Sequence, residues 1–116
     1  MGGSMSPPKT EVMYGTLDLL VLRTLQALGP MHGYAIARRI EQVSHEALRL
    51  NQGTLYPALL RLENGGWISS KWATTENNRR ARYYSITKAG GKRLEREARN
   101  WEQMAEIINR VLEGTF

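Results

Sequence analysis

The last quarter of the chain constrains the fold most, because its pattern predicts one helix that is too long for a small domain. The helical pattern follows Thr87, which suits an N-cap, and runs from Lys88 to Glu113 until Gly114 ends it. At 1.5 Å per residue, this helix is about 39 Å long. Its apolar residues recur in alternating steps of four and three, which is typical of a two-stranded coiled coil. The expected seam consists of Leu94, Ala98, Trp101, Ala105, Ile108 and Leu112, and it is broadened by Met104, Ile107 and Val111.

A helix of this length extends beyond the core of a one-domain protein, and its protruding part needs an apolar surface to pack against. The same helix of a second copy provides that surface, so the sequence predicts a two-fold homodimer. Segment 88–116 is therefore interpreted as a C-terminal dimerisation helix. We expect the dimer interface to consist of Leu94, Ala98, Trp101, Met104, Ala105, Ile108, Val111 and Leu112.

Two short amphipathic helices are predicted near the start of the chain. The first begins at Thr16, and Gly29 followed by proline ends it. The second runs from about Gly33 to Val43, with its isoleucines on one face and its arginines on the other. His32 is expected to cap this helix or to pack at its start.

A third helix is predicted between Asn51 and Glu63, with a buried seam of leucines. Where it begins is open. Asn51 is a good N-cap, but Pro57 then lies past the first turn and removes a backbone hydrogen bond. With Thr54 as the cap, Pro57 would fall in the first turn, where proline is harmless. The expected seam residues are Leu55, Leu59 and Leu62.

A β-hairpin is predicted after the third helix. In the segments Ile68–Ala73 and Arg82–Ile86, aromatic and β-branched residues alternate with polar ones, as half-buried strands require. The connecting loop is polar and basic, and its Asn77 and Asn78 tolerate the positive φ angles of tight turns. Three helices followed by a two-stranded hairpin form a winged helix-turn-helix, which we place in residues 14–87. The predicted fold class is mainly α with a small β-hairpin, completed by the long C-terminal dimerisation helix.

Composition favours a nucleic-acid partner and excludes several other classes. The chain of 116 residues carries a net charge of +5, and the stretch from Lys71 to Arg99 holds nine basic residues against three acidic ones. No cysteine is present, and no apolar run is long enough to span a membrane, which fits a cytoplasmic protein. His32 and His45 are too few for a metal site, and Asp18 is the sole aspartate. We therefore expect no enzyme activity, no cofactor and no metal.

Residues 1–13 are interpreted as an expression remnant followed by a flexible arm.

Two motifs in order carry a resemblance to a known family. The run Gly53-Thr-Leu-Tyr-Pro-Ala-Leu-Leu-Arg-Leu-Glu63 is followed by Gly66-Trp-Ile68 and then by Arg79-Arg-Ala-Arg-Tyr-Tyr-Ser-Ile-Thr87. Together with Gly33-Tyr-Ala-Ile36, these segments resemble the PadR family of bacterial transcriptional regulators, in its short subfamily with one C-terminal helix. The resemblance implies a homodimer, a near-palindromic operator and release by a small aromatic or drug-like effector. The chain departs from the family pattern at Asn78, where a glycine frequently stands, so the turn type of the wing is open.

The third helix and the wing are expected to contact double-stranded DNA. On the helix, the candidates lie off the leucine seam, and the wing arginines suit backbone phosphates or a narrow minor groove. Tyr56 has a second interpretation as a half-buried ring that packs on the second helix, and Tyr34 is similarly ambiguous. A solvated hairpin tip is the alternative for the wing. The candidate DNA-contacting residues are Tyr34, Gln52, Thr54, Tyr56, Arg61, Arg79, Arg80 and Arg82.

Trp101 is the candidate effector-binding residue, since its ring would face its symmetry mate and stack on a flat aromatic compound. The alternative is a tryptophan that belongs to the ordinary dimer core. The sequence thus predicts a sequence-specific DNA-binding repressor. The competing hypothesis is a winged-helix module for protein or RNA interaction that has no operator.

Overall fold

The structure, a computed structural model, describes residues 16–114 and contains four helices and a small antiparallel sheet. The predicted fold class, mainly α with a small β element, is confirmed. The expected remnant and arm in residues 1–13, and the last two residues of segment 88–116, lie outside the described residues. In chain order the elements are α1 Thr16–Leu28, β1 Met31–His32, α2 Gly33–Val43, α3 Gln52–Asn64, β2 Ile68–Thr74, β3 Arg80–Ile86 and α4 Lys88–Glu113.

The core lies between α1, α2, α3 and the base of the sheet. Helix α1 buries residues on a wide stripe, which includes the fully buried Val21 and Leu22, because it packs against α2, α3, β3 and α4. Helix α2 contributes Ile36 and Ile40. The predicted seam of α3 is confirmed as buried, and it also includes Ala58. Its members are Leu55, Ala58, Leu59 and Leu62.

The predicted helix starts agree with the observed caps. The Asn51 side chain accepts a hydrogen bond from the Thr54 amide at 2.9 Å, so α3 begins at Gln52 and Pro57 lies inside the helix. The His32 imidazole accepts from the Ala35 amide at 3.2 Å and thereby caps α2. Of the two starts that the sequence allowed for the third helix, the structure has the earlier one.

The sheet has one strand more than the sequence predicted. Strand β1 pairs with β3 through Met31↔Tyr84 and His32↔Tyr83, and β2 lies on the other side of β3. Two residues are too short a strand to produce an alternating pattern, so this element left no signal in the sequence. Strands β2 and β3 also extend further towards their loop than predicted, to Thr74 and from Arg80.

The wing turn uses Asn78, at the position where a glycine frequently stands in the family that the sequence resembles. Asn78 adopts a φ angle of 60°, in the left-handed region, and its amide donates to the Thr75 carbonyl at 2.9 Å. Asparagine tolerates this conformation better than most residues. The hairpin therefore closes with asparagine at the position that was in doubt.

The first turns of α4 belong to the same core as the helices before it. Thr87 caps α4 through the Gly90 amide at 3.0 Å, and its hydroxyl donates to the Trp67 carbonyl at 3.0 Å. Gly90 is pressed so closely on the Trp67 carbonyl that a Cβ atom would overlap it. Leu94 is 5% exposed in the single chain. The expected dimer seam is thus corrected at its first member, because Leu94 packs inside its own chain.

Within residues 16–114, the helices are too short or too polar to cross a lipid bilayer.

Candidate nucleic-acid interface

Helix α3 presents a neutral, hydrogen-bonding surface on the side opposite its buried seam. Gln52 and Thr54 are exposed in its first turn, and the Thr54 hydroxyl donates to the Asn51 side chain at 3.2 Å. Further along, Pro57 and Leu60 are also exposed. The first backbone N–H groups of a helix lack intrahelical acceptors and carry a partial positive charge, which suits an anion. This face can read bases or phosphates without containing a charged side chain.

Arg61, the one basic residue of α3, does not lie on that face. Its Nη2 is 3.0 Å from Oδ1 of Asp18, and Nη2 of Arg93 is 3.3 Å from Oδ2 of the same carboxylate. Arg93 also pairs with Glu97 at 2.8 Å and lies over the Trp67 ring at 5.1 Å. We call these five residues the arginine junction. The predicted DNA contact by Arg61 is replaced by an ion pair that joins α3 to α1.

Tyr34, Gln52 and Tyr56 come together at a cleft of about 410 Å³ between α2 and α3. The Tyr56 ring lies against the start of α2, where a Cβ atom on Gly33 would be 2.8 Å from the Tyr56 hydroxyl oxygen. Tyr56 is nevertheless 42% exposed, and Tyr34 is 69% exposed. The packing interpretation of Tyr56 therefore holds for one edge of the ring, and the other edge is open to solvent.

A second cleft, of about 460 Å³, lies between the same two tyrosines and the wing. Its lining includes Trp72, Arg80 and Arg82. Because Tyr34 and Tyr56 line both clefts, the exposed side of α3 and the wing form one continuous surface. We call it the groove face and define it by Tyr34, Gln52, Tyr56, Arg80 and Arg82. Arg79 lies outside both clefts, at the exposed end of the wing loop.

The wing arginines stack on a tryptophan that the sequence did not single out. The guanidinium carbons of Arg80 and Arg82 lie 5.9 and 5.5 Å from the centroid of the Trp72 ring, within the range of cation–π attraction. Trp72 is 55% exposed. Alternation along β2 puts Trp72 on the same face as the buried Ile68, but beyond the end of the core, and that pattern is the signal that would have found it.

Among the described residues, the wing cations are exposed and have no acidic partner. Within residues 16–114, no carboxylate pairs with Arg79, Arg80 or Arg82. Arg38 of α2 differs, because the neighbouring Glu46 carboxylate, together with the hydrogen bond that Arg38 donates to Glu41, raises the pKa of its guanidinium. The positive charge of the groove face is therefore concentrated on the wing.

Tyr84 anchors the base of the wing. It is 6% exposed, and burial raises the pKa of its phenol above the ordinary value of a tyrosine. A phenol that stays neutral in the core fixes β3 at its inner end. The arginines at the outer end of β3 thus project from a strand whose inner end is buried in the core.

Most of the expected dimer residues after Leu94 remain exposed in the single chain. Ala98 and Ala105 are half-buried. The exposed large side chains of α4 are Trp101, Met104, Ile107, Ile108, Val111 and Leu112.

The described part of the chain contains no group of three His, Cys, Asp or Glu residues that would hold a metal ion.

Comparison with known proteins gives one family for this chain. The PadR-like family model of transcriptional regulators matches residues 21–96. A transcriptional regulator from Clostridium thermocellum has a TM-score of 0.75 and 33% identity, covering 83% of this chain and 92% of its own. A PadR family regulator from Clostridium difficile has a TM-score of 0.73 and 30% identity, covering 84% and 99%.

A curated relative has a higher sequence identity and a different length. An uncharacterised 37.1 kDa protein in transposon TN4556 of Streptomyces fradiae is 45% identical over 97 residues, which are 84% of this chain and 25% of that protein. The family match covers most of the winged helix-turn-helix and the start of α4, and it includes the whole groove face and, from the arginine junction, Arg61, Trp67 and Arg93. The chain belongs to the PadR-like family of transcriptional regulators.

Proposed function

We propose that this chain is a homodimeric, cytoplasmic repressor that binds a near-palindromic operator and leaves it when a small aromatic or drug-like compound binds. The observation that carries the DNA-binding part is the groove face. There, the exposed first turn of α3 lies beside wing arginines that no carboxylate within residues 16–114 neutralises.

The two parts of this surface have different tasks. The start of α3 enters the major groove, where Gln52 and Thr54 contact base edges or phosphates. Glutamine suits the edge of adenine, to which it can donate and from which it can accept a hydrogen bond. The wing arginines bind backbone phosphates and fix the position of the helix without reading sequence. Because α3 presents no free cation on its exposed face, the wing supplies most of the electrostatic affinity.

One copy of the chain contacts only half of a two-fold operator. The exposed apolar side chains of α4 support the proposal that two copies form a dimer. From Trp101 to Leu112 the large apolar side chains of this helix are 48% to 78% exposed. An apolar stripe of this extent marks an interaction surface. Packing the stripe against its symmetry mate gives a closed dimer with two α3 helices, which suit half-sites about 34–36 Å apart.

Trp101 is the proposed effector-binding residue. It is 57% exposed and belongs to the stripe that the dimer would cover, so two symmetry-related rings can hold a flat aromatic compound between them. Planar compounds should quench its fluorescence. Trp67 and Trp72 also emit, so the measurement compares the native protein with Trp101→Ala, and equal quenching in both proteins would contradict this site.

Titration of labelled DNA from upstream of the gene, against random DNA of equal length and at two salt concentrations, tests the regulator. We expect tighter binding to the upstream DNA at both salt concentrations. Arg80→Ala should weaken binding to both DNAs and reduce the log–log salt slope by about one, because one phosphate contact is lost. Equal affinity for the two DNAs in the native protein would refute sequence-specific regulation.

Sedimentation of two charge-matched variants tests the dimer. Ile108→Glu places a carboxylate in the apolar stripe, whereas Gln103→Glu adds the same charge on the opposite side of α4. We expect the first variant to sediment as a monomer and to bind DNA more weakly, and the second to remain dimeric. A native protein that sediments as a monomer would overturn this part of the proposal.

A further inference from the structure

We infer that Trp72 is a positioning residue that holds the guanidinium groups of Arg80 and Arg82 ready for phosphates of one DNA strand. The inference rests on the proposed DNA-binding function and assigns a role to a side chain that the family motifs leave without one. It begins with the register of the wing, in which Trp72 lies directly opposite Arg82, and Thr74 lies opposite Arg80.

This register puts all three side chains on one face of the hairpin. Residues directly opposite on neighbouring strands have adjacent side chains, and diagonal neighbours are within reach of long or aromatic ones. The measured distances fit both relations, with Arg82 at 5.5 Å and the diagonal Arg80 at 5.9 Å from the ring centroid. A single indole therefore serves two cations.

Trp72 contributes little to the core that surrounds the base of the wing. The ring is 55% exposed, whereas Ile68, which lies four residues earlier on the same face of β2, is 2% exposed. The indole lines the cleft of about 460 Å³ together with Tyr34 and Tyr56. Its apolar surface therefore lies on the groove face, at the side from which α3 would approach DNA.

The electrostatics explain why a flat aromatic ring is useful at this position. Two guanidinium groups beside one another repel, and within residues 16–114 no carboxylate separates them. The negative face of the indole offsets part of this repulsion. It also restricts two side chains that would otherwise lose much rotamer freedom on binding, so less entropy is lost when phosphates are contacted.

The test uses the full chain and a short, fluorescein-labelled duplex of random sequence, followed by fluorescence anisotropy. Trp72→Leu keeps apolar bulk but removes the π face, and Trp72→Phe keeps a π face. We expect about fivefold weaker binding for Trp72→Leu and less than about twofold for Trp72→Phe. Lys71→Arg, which changes an exposed residue on the opposite face of the same strand and keeps its charge, is the control for general damage to the wing.

A double-mutant cycle separates positioning from direct contact. In an Arg80→Ala/Arg82→Ala background, Trp72→Leu should change the affinity less than about twofold, since nothing remains to be positioned. An equal loss in both backgrounds would mean that the indole itself binds DNA, and it would overturn the inference. Thermal melting checks each variant, and Trp72→Thr, a good strand former, replaces Trp72→Leu if the latter melts early.

The remaining outcomes distinguish this inference from the function on which it rests. A native protein that binds no duplex DNA at low salt would overturn the proposed function and the inference together. A native protein that binds, with Trp72→Leu binding equally well, would overturn the inference alone.

Discussion

Within residues 16–114, arginines lie over the rings of two tryptophans, Trp67 and Trp72, and the two sites differ in whether acidic side chains accompany the arginines. In the arginine junction, Arg93 lies over Trp67 and also pairs with Asp18 and Glu97. In the wing, two arginines lie over Trp72, and within residues 16–114 no carboxylate pairs with them. The Arg93 side chain is 18% exposed, whereas both wing arginines are exposed.

The difference shows how one pair of residue types serves two purposes. A cation can be buried in a protein only when opposite charge accompanies it, and the junction meets that condition by sharing the Asp18 carboxylate between α3 and α4. In the part of the chain that the structure describes, the wing arginines are exposed and have no carboxylate partner, which costs little in water and favours an anionic partner. The junction should therefore govern stability, and the wing should govern binding.

Gly90→Ala should disrupt the arginine junction, and of the substitutions considered it should lower the free energy of unfolding most. A Cβ atom at this position overlaps the backbone carbonyl of Trp67, which cannot move as a side chain could, so α4 must shift away from the Trp67–Arg93 stack. We expect the free energy of unfolding to fall by about 3 kcal/mol, at the upper end of overpacking costs. Urea denaturation followed by circular dichroism measures the change.

The neighbouring glycine provides the matched control. A Cβ atom on Gly91 meets nothing within 4 Å, so Gly91→Ala should raise the free energy of unfolding by about 0.5–1 kcal/mol, the usual gain in a helix interior. Equal stability of the two variants would contradict the close approach of α4 to Trp67.

Asp18→Asn tests the shared carboxylate and should have an intermediate effect. The substitution keeps the shape of the side chain and removes the charge that faces Arg61 and Arg93. Breaking a buried ion pair costs about 3–5 kcal/mol, and because the Arg61 side chain is 36% exposed, we expect about 2 kcal/mol here. The measurement is again urea denaturation.

An exposed ion pair on α4 is the reference for that loss. Glu106 and Arg110 have side chains that are 72% and 77% exposed, and Glu106→Gln should change the free energy of unfolding by less than about 0.5 kcal/mol. If Asp18→Asn costs no more than this reference, the junction does not stabilise the fold.

Local patterns predicted most of the helices and their starts. The caps at Asn51 and Thr87 act over three residues, and the leucine seam of α3 follows from helical periodicity alone. The same holds for the hairpin, whose alternation is visible in the sequence. Strand β1 was not predicted, because two residues are too few to show an alternating pattern.

The candidate site was predicted less completely, because its residues depend on distant partners. Arg61 was expected to face DNA, but its partner Asp18 lies 43 positions earlier in the chain. Leu94 fitted the coiled-coil seam and was found in the core, since α4 packs on α1 before it leaves the domain. Helical and strand periods fix the face on which a residue lies, and only the packing of elements decides what that face meets.

Thr74→Glu would place a carboxylate directly beside the wing arginines, and its effect should be the smallest in free energy. Thr74 lies directly opposite Arg80, so the introduced carboxylate can pair with that guanidinium. Such an exposed pair is worth less than about 1 kcal/mol, and stability should be almost unchanged. Affinity for DNA should fall about fivefold, because a phosphate must displace the carboxylate.

Ser69→Glu adds the same charge on the opposite face of β2 and should weaken binding less than about twofold. Equal losses in anisotropy titrations of the two variants would mean that net charge alone matters, and the free state of the wing arginines would then have no special role.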